Sequence, residues 1–352
     1  RRYHNLTGLE ITPEELYREA AKAAKLVIDN SGCSLNTAAG KKGAYRDLFY
    51  SETPLTQEVI LAVCANEKSG IFGEQNWWFN ARSYGLCWSL VRSFVHTYLK
   101  QDGTPFTAAA DYAVKSFAEE MEGRDLRLEQ TVRGRNFLWD GKTAVADIKN
   151  LSLTGYQVIK YTLDESKYDG GAKNINSIPL IRYAEVLLNY AEAKAELGEF
   201  SETVWNATIK LLRERAGVDG AMPSAYDPYM AEYFLNTTTD MAILEIRRER
   251  GIELLLENCR WDDDMRWHMG DLLTSDNNPW TGIWIGNTGY TYDFTGQSTD
   301  DNGDPVPDFY IRPGEDTEHS IAISNTGANQ TFSLNDEGNI VWEYRRVWSE
   351  KK

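Results

Sequence analysis

The segment from residue 177 to residue 217 constrains the fold more than any other part of the chain. Its apolar residues recur at spacings of three and four, which is typical of one face of an amphipathic helix. Pro179 suits the first turn of that helix, and Gly198 suits its end. Ser201 is a typical N-cap for a second helix, which we expect to end at Gly217. Because so few residues join them, the helices must be antiparallel neighbours, close to one tetratricopeptide-type unit of about 34 residues.

The composition is that of a globular protein with an acidic surface. The chain has 352 residues, enough for a large core and for one or two domains. Its formal net charge of −16 at pH 7 argues against binding nucleic acid or an anionic membrane through a basic face. No segment approaches the ~18 consecutive apolar residues of a membrane-spanning helix. The four cysteines form no C-x-x-C pattern, so we expect small buried residues rather than a zinc site or a disulfide scaffold.

The same periodicity predicts further helices at about residues 12–31, 84–103, 108–121, 240–258 and 260–269. The first of them opens with Thr12 and Glu15, which have the spacing of a capping box. Residues 59–64 form a short apolar run that suits a strand or a helix turn equally well. Residues 124–173 contain alternating, turn-rich pieces that favour short strands, and residues 272–338 indicate long loops with irregular strands.

Two parts of the sequence resemble the signatures of a known family. Residues 178–198 read IPLIRYAEVLLNYAEAKAELG, residues 249–254 read ERGIEL, and residues 257–267 read ENCRWDDDMRW. They resemble the helical signature and the ER–x–x–EL…E–G–x–RW–x–D–x–x–RW run of the SusD/RagB family, the surface glycan-binding lipoproteins of Bacteroidetes-type bacteria. The chain departs from the family's usual residues at Leu126, Asn258, Asp262 and Asp264.

The resemblance implies a mainly α fold, a tetratricopeptide-like helical superhelix with long loops and a few short strands. It implies a single domain over residues 1–352 that lacks its N-terminal part, since the family's members begin with a lipoprotein signal and an acylated cysteine. We expect four parts: helices with an aromatic loop at 12–122, strands and loops at 123–176, the helical signature at 177–270, and a loop-rich part at 271–352. The chain is accordingly expected to be the middle and C-terminal part of a longer precursor.

An acidic triplet, Asp262 to Asp264, invites two interpretations. A carboxylate pair for glycoside hydrolysis, or a calcium site, is one of them. The other is a structural network of ion pairs, in which Glu257 lies within helical reach of Arg260. We favour the network, whose predicted members are Arg250, Glu253, Glu257, Arg260, Asp263 and Arg266.

Two clusters of aromatic residues lie in predicted loops. The first contains Trp77, Trp78 and Phe79, and the second contains Trp280, Trp284, Tyr290, Tyr292 and Phe294. Polar residues that suit sugar hydroxyls flank them: Asn76, Asn80 and Arg82 beside the first, and Asn277, Asn278 and Asn287 beside the second. Sugar rings present apolar C–H faces that stack on indole and phenol rings, so both clusters are candidate ligand-binding surfaces.

The alternative for each cluster is that the rings cover the helical body from outside, and the sequence leaves the two interpretations equally open. We expect Trp77 and Trp78 to belong to the ligand surface, with Trp284 as the next ring to test. By contrast, Trp205 and Trp261 lie in predicted helices and are expected to pack in the core.

The function that these features favour is binding without catalysis. The four histidines are scattered, no H-E-x-x-H is present, and we expect no metal and no cofactor. The resemblance implies that the protein binds oligo- or polysaccharide at the outer-membrane surface and delivers it to a SusC-like TonB-dependent transporter. An N-terminal lipid anchor, which is not in this sequence, would hold it to the membrane. A helical glycoside hydrolase and a peptide-binding member of the same family are the alternatives.

Overall fold

The computed structural model describes residues 10–80, 88–134, 136–143, 147–148, 152, 154–274, 281–284, 290–293, 298–299, 305–306, 309–313, 321–323, 332–334 and 336–342. Its helices are α1 (Pro13–Asn30), α2 (Ala44–Tyr50), α3 (Gln75–Asn80), α4 (Arg92–Val95), α5 (Phe117–Met121), α6 (Leu126–Thr131), α7 (Tyr183–Glu196), α8 (Glu202–Ala207), α9 (Ile209–Arg215), α10 (Pro228–Tyr233), α11 (Met241–Glu253) and α12 (Arg260–Arg266). Single 3₁₀ turns span Glu67–Ser69, Phe106–Ala108, Tyr112–Val114, Ser166–Tyr168 and Gly270–Leu273.

The strands are short. They are β1 (Val59–Val63), β2 (Leu138–Trp139), β3 (Lys142–Thr143), β4 (Asp147–Ile148), β5 (Ile178–Arg182), β6 (Thr281–Trp284), β7 (Tyr290–Asp293), β8 (Ser298–Thr299), β9 (Pro305–Val306), β10 (Phe309–Pro313), β11 (Ile321–Ile323), β12 (Phe332–Leu334) and β13 (Asn339–Trp342). They pair as β1–β5, β2–β3 and β8–β9, as a four-stranded sheet in the order β4-β11-β10-β7, and as a three-stranded sheet in the order β12-β13-β6. The predicted mainly α fold with a few short strands is confirmed. None of the described helices combines the length and the apolar character that crossing a bilayer requires.

Helix α1 begins as the sequence predicts. The Thr12 hydroxyl accepts a hydrogen bond from the Glu15 amide, and the Glu15 carboxylate accepts one from the Thr12 amide at 2.7 Å, which completes a capping box. The helix packs against α7, and its buried residues are Ala21 and Ala24. Side chains this small allow two helix backbones to approach closely.

The segment around Pro179 is a strand, not the start of a helix. It forms β5, which pairs antiparallel with β1 and places Leu61 opposite Ile181. The apolar run that the sequence left ambiguous is therefore a strand. Helix α7 begins only at Tyr183, whose amide donates to the Glu58 carbonyl at 2.8 Å. The pairing strand lies far upstream in the chain, so the local apolar pattern could not reveal it.

The second helix of the predicted pair is interrupted. It begins after Ser201, whose hydroxyl accepts from the Val204 amide, as the N-cap assignment predicts. The backbone leaves the helical conformation at Thr208, which divides the helix into α8 and α9. The Thr208 hydroxyl donates to the Val204 carbonyl at 2.6 Å. Trp205 is fully buried, as predicted, and packs in one apolar cluster with residues of α7, α9 and α11.

Helix α11 is shared by three apolar clusters, one of which contains Leu244 with residues of α10 and Trp267. Ile252 belongs to the largest cluster, which also contains Tyr45 and Phe49 of α2 and Tyr156 from the segment before β5. Ile246, on the same helix, belongs to the cluster of α7, α8 and α9. Because both sides of α11 are covered, most of its charged side chains also lie in the interior.

Two predicted helices are replaced by shorter elements. In the interval 84–103 the described residues contain only α4, and in the interval 108–121 a 3₁₀ turn precedes α5. Leu99 and Lys100 instead form β-bridges with Pro105 and Arg124, which use backbone groups that a continuous helix would need. Apolar periodicity describes one segment at a time, so it could not reveal these pairings.

Two predictions of burial are wrong. Cys64 is exposed, and Cys33 and Cys259 are partly exposed, while Cys87 lies outside the described residues. Trp261 is 62% exposed. Helix α12 buries Asp263 and Asp264 rather than its tryptophan, because its inward face meets Arg250 of α11 instead of an apolar cluster.

Candidate functional site

Buried charges surround Glu253, at the end of α11. Its carboxylate contacts three arginines on separate elements, Arg127 of α6, Arg182 of β5 and Arg215 of α9. The shortest Arg127 contact is 2.8 Å. Burial alone would raise the pKa of Glu253, but the three guanidinium groups together hold it well below its ordinary value. An ionised Glu253 thus ties four elements of the fold together.

Asp263 of α12 is the centre of a second group of ion pairs. Each of its carboxylate oxygens lies 3.0 Å from the guanidinium of Arg250, and Oδ1 also lies 2.7 Å from Nη2 of Arg266. Arg266 further contacts Glu192 of α7, which also accepts from Nε1 of Trp267 at 2.7 Å. Opposite charges therefore fix the crossing of α7, α11 and α12.

Arg260 stands apart from both groups. The sequence indicates Glu257 as its partner, but Glu257 instead accepts from Nε of Arg182 at 2.6 Å. A turn with left-handed backbone conformation at Asn258 separates α11 from α12, so helical spacing does not apply between Glu257 and Arg260. Arg260 pairs with Asp264 at 3.0 Å, and its side chain is 32% exposed.

Asp262 of α12 is exposed, but its neighbours Asp263 and Asp264 are buried, so the triplet does not form an accessible catalytic pair. Glycoside hydrolysis needs a carboxylic acid that reaches the leaving-group oxygen and a second carboxylate roughly 5–9.5 Å away. The side chains of Asp263 and Asp264 are only 5% and 2% exposed, and both are paired with arginine. Burial raises the pKa of Asp264, against the effect of Arg260, but a substrate cannot approach it. Across the described part of the chain, no group of three or more His, Cys, Asp or Glu residues is arranged to hold a metal ion.

The first aromatic cluster belongs to a helix, and it borders a groove. Trp77, Trp78 and Phe79 lie on α3, where the sequence indicates a loop. The groove has a volume of about 660 Å³. Aromatic and aliphatic side chains dominate its lining, which consists of Phe72, Gly73, Glu74, Gln75, Trp78, Phe79, Trp88, Tyr161, Ile178 and Leu256. A concave, largely apolar surface with a few polar groups is typical of small-molecule and saccharide sites.

Two indole rings are the most exposed aromatic side chains of this aromatic groove. Trp78 and Trp88 are each 38% exposed. Trp88 stacks on Phe79, with ring centroids 5.5 Å apart and an interplanar angle of 28°. Trp77 contacts Trp78 edge-on at 4.7 Å, and it is half-buried outside the groove lining. The rings thus support one another while Trp78 and Trp88 keep free surface.

Two predicted ligand contacts are buried. Asn76 is inaccessible: its Oδ1 accepts from the amide of Leu163 at 2.8 Å and from Nδ2 of Asn174 at 2.7 Å, and its Nδ2 donates to the Leu163 carbonyl at 2.8 Å. Phe79 is only 9% exposed and belongs to the largest apolar cluster. Contrary to the prediction, both residues hold the groove in place instead of presenting groups to solvent. Arg82 lies outside the described residues.

The second aromatic cluster does not join the first in the described structure. Trp284 is 9% exposed, and its Nε1 donates to the Glu337 carbonyl at 2.6 Å. It therefore packs within the sheet of β6 and β13, contrary to its prediction as a ligand ring. Tyr290 is the first residue of β7, opposite Pro313 of β10. Trp280 lies outside the described residues.

Lys160 and Tyr161 hold the wall of the groove that Leu256 lines. The Tyr161 hydroxyl donates to the Leu256 carbonyl at 3.2 Å, and Nζ of the fully buried Lys160 donates to the Leu255 carbonyl at 2.6 Å. Nζ also lies 2.7 Å from a carboxylate oxygen of Glu257. Burial lowers the pKa of Lys160 to about 8, although Glu257 opposes this effect. Leu256 has a φ of 60°, a strained value that these hydrogen bonds maintain.

Several groove residues gave no functional signal in the sequence. The apolar periodicity places Trp88 on the stripe of a predicted helix, whereas the chain there is extended and the Val158 amide donates to the Trp88 carbonyl at 3.2 Å. Tyr161 and Leu256 come from segments far from α3. Only the tertiary fold brings these residues together, and the excess of tryptophan and tyrosine, 11 and 19 residues, was the available hint.

The comparisons with known proteins agree with this architecture. The SusD family model matches residues 57–339. A SusD-like carbohydrate binding protein from Bacteroides fragilis NCTC 9343 is similar in structure, with a TM-score of 0.56 and 24% identity, over 88% of this chain and 56% of that one. A second SusD-like protein from the same strain has a TM-score of 0.55 and 23% identity, over 77% of this chain and 54% of that one.

At these identities the solved structures show a shared fold. The chain spans little more than half the length of either. None of the curated proteins compared with it matches. The family match covers most of the chain, including both signature segments and the residues that line the groove. The chain belongs to the SusD family.

Proposed function

We propose that this protein binds a saccharide in the aromatic groove without cleaving it. The observation that carries the proposal is the pair of partly exposed indoles, Trp78 and Trp88, which border one groove of about 660 Å³. Indole faces stack on the C–H faces of sugar rings, and a large rigid ring loses little conformational entropy when it binds. Glu74, which is exposed on the same groove, supplies a carboxylate for sugar hydroxyls.

The buried state of the acidic residues supports the absence of catalysis. Asp263 and Asp264 are inaccessible, and Glu253 and Glu257 are both closed off by arginine. Arg182 and Lys160 hold the pKa of Glu257 below its ordinary value against the effect of burial, so it is a poor source of protons for a leaving group.

Family membership supports the finer parts of the proposal. The protein would act at the surface of the outer membrane, held there by an N-terminal lipid anchor, and would pass its ligand to a SusC-like TonB-dependent transporter. The SusD family match and a similar structure described as a carbohydrate binding protein support this placement.

The proposal is tested first by affinity electrophoresis against a panel of neutral and charged polysaccharides, and then by calorimetry with an oligosaccharide of the one that retards migration. We expect Trp78→Ala and Trp88→Ala each to weaken binding by more than about tenfold, since truncating an aromatic anchor removes on the order of 2 kcal/mol. Trp261→Ala is the matched control, because Trp261 is 62% exposed on α12 and does not line the groove.

Circular dichroism of each variant would confirm an intact fold. Wild-type affinity in both groove variants, or retardation by none of the polysaccharides, would contradict the proposal. Release of reducing ends during incubation would contradict the absence of catalysis.

A further inference from the structure

A second cavity lies between α2 and α6, with a volume of about 560 Å³. Polar side chains of both charges and several apolar ones line it: Lys42, Arg46, Leu126, Glu129, Gln130, Gly134, Asn136, Phe137, Leu138, Ile159 and Asp164. This α2–α6 cavity shares no lining residue with the aromatic groove. The two are linked through one segment, since Tyr161 lines the groove while Ile159 and Asp164 line the cavity.

The floor of the cavity is rigid. The buried amide of Gln130 accepts from the backbone amides of Tyr45 and Arg46 at 3.1 and 3.0 Å. Its Nε2 donates to the carbonyls of Lys41 and Leu126 at 3.1 and 2.9 Å. With both donors and its acceptor engaged, Gln130 locks the start of α2 against α6 and gives the cavity a fixed shape.

Arg46 is held in place as well. Its Nη1 lies 2.8 Å from Oδ2 of Asp164, and its Nη2 donates to the Thr162 carbonyl at 3.0 Å. The guanidinium also lies 5.4 Å from the ring centroid of Phe137 and 5.5 Å from that of Tyr50. A bidentate, stacked arginine keeps its partner carboxylate oriented, and the remaining lone pairs of Asp164 can accept from a ligand.

Three further groups around the cavity have unused hydrogen-bonding capacity. Within the described residues, no hydrogen bond or ion pair engages the side chains of Lys42, Glu129 or Asn136. They come from three segments of the chain and offer an ammonium donor, a carboxylate acceptor and an amide that does both. Leu138, which is 50% exposed at the start of β2, adds an apolar surface beside them.

This combination matches one kind of ligand. Lys42 and Arg46 balance Glu129 and Asp164 in charge, so the rim favours an uncharged molecule over an ion of either sign. Hydroxyl groups both donate and accept, and therefore suit ammonium, carboxylate and amide partners at once, while a C–H face suits Leu138. We propose that the α2–α6 cavity is a second saccharide site, which takes a neutral monosaccharide unit or a short oligosaccharide. The proposal shares its ligand class with the aromatic groove but does not depend on it.

The test first disables saccharide binding in the aromatic groove. In the Trp78→Ala/Trp88→Ala variant, ligand-observed saturation-transfer NMR would be recorded with the methyl glycosides of glucose, galactose, mannose and N-acetylglucosamine at millimolar concentrations. We expect at least one of them to receive saturation. Adding Glu129→Gln and Asn136→Ala should weaken that interaction by about tenfold or more in a titration, because the first removes the charge that strengthens one hydrogen bond and the second removes another. The matched control is Glu214→Gln, an exposed glutamate that does not line the cavity.

Two outcomes would overturn the second site. One is the absence of saturation for all four glycosides in the groove-disabled variant, and the other is saturation that persists unchanged with Glu129→Gln and Asn136→Ala. A stronger response from methyl glucuronide than from methyl glucoside would overturn its neutral ligand class. None of these results bears on the groove, whose own test is the loss of polysaccharide binding in Trp78→Ala and Trp88→Ala with the cavity intact.

Discussion

The ion pairs around Glu253 and the aromatic groove are two ways of joining distant parts of this chain. The first uses charges that are sealed from water, in which Glu253 meets arginines of α6, β5 and α9. The second uses uncharged rings that remain partly open, with Trp78 and Trp88 at the surface and Phe79 beneath them. The ion pairs draw on both signature segments, through Arg182 and Glu253, whereas the groove takes only Ile178 from them. In this protein, then, the residues of the family signature mainly hold the fold, and the candidate ligand surface combines one aromatic segment with residues that carry no signal of their own.

The largest effect is expected for the buried ion pairs around Glu253. Glu253→Gln leaves three buried guanidinium groups without a full counter-charge, so we expect the free energy of unfolding to fall by about 3–5 kcal/mol. Urea denaturation followed by circular dichroism would measure the loss. The control Glu214→Gln, at a side chain that is 52% exposed, should change it by less than about 1 kcal/mol. Equal stability of the two variants would show that the ion pairs of Glu253 do not stabilise the fold, and the contrast with the open groove would be wrong.

A comparable loss is expected where the groove meets the core. Phe79→Ala should lower the free energy of unfolding by about 3–5 kcal/mol, because it removes a buried ring and the support of Trp88. Trp78→Ala should change it by much less, since that ring is 38% exposed. Denaturation of both variants in parallel would check this. If Trp78→Ala proved the more destabilising, the exposed rings would be a cover for the core rather than a binding surface.

Arg260→Ala should have an intermediate effect. Arg260 is 32% exposed and pairs with the buried Asp264, so its removal leaves one buried carboxylate unpaired and costs about 1–3 kcal/mol. Arg250→Ala, at a side chain that is 5% exposed and shared with Asp263, should cost more. Thermal denaturation of both variants would rank them. The reverse order would mean that α12 is held mainly by Arg260.

The smallest effect is a dependence on pH. Burial lowers the pKa of folded Lys160 to about 8, whereas the pKa of an unfolded lysine is about 10.4. Between these values the unfolded chain binds more protons, so the contribution of Lys160 makes the free energy of unfolding rise with pH, on the order of 1 kcal/mol per pH unit. Below pH 8 both states are protonated, and the contribution is constant.

Denaturation of the wild type and of Lys160→Met at several pH values from 7 to about 10 would reveal the difference in slope. The interval must end there because of Tyr45 and Tyr161, whose rings face Lys160 and whose pKa values burial raises. Above about pH 10 these tyrosines ionise in the unfolded chain before they do so in the folded protein, which lowers the free energy of unfolding. Lys22→Met is the control, at a side chain that is 78% exposed. Parallel slopes for wild type and Lys160→Met would show that this lysine titrates normally.

Local rules predicted the elements whose causes are local. The capping box of Thr12 and the N-cap at Ser201 depend on groups within three residues, and both are present. Pro179 was misassigned because its strand pairs with β1, far away in sequence. Trp261 was misassigned because periodicity marks a face of a helix without telling what covers it, and the inward face of α12 meets arginines. The groove combines α3, Trp88, Tyr161 and Leu256, a set that no spacing in the chain could bring together.

The left-handed conformation of Leu256 has a consequence for how this groove can change over evolutionary time. A leucine is poorly suited to a φ of 60°, whereas glycine and asparagine adopt it readily. Replacing Leu256 with either residue would relax the turn and, in the same step, remove a large side chain from the groove wall. Most changes that widen a binding site weaken the fold, but at this position one substitution would both widen the groove and relieve backbone strain. Relatives that accept bulkier ligands could therefore arise through a single substitution that the scaffold tolerates.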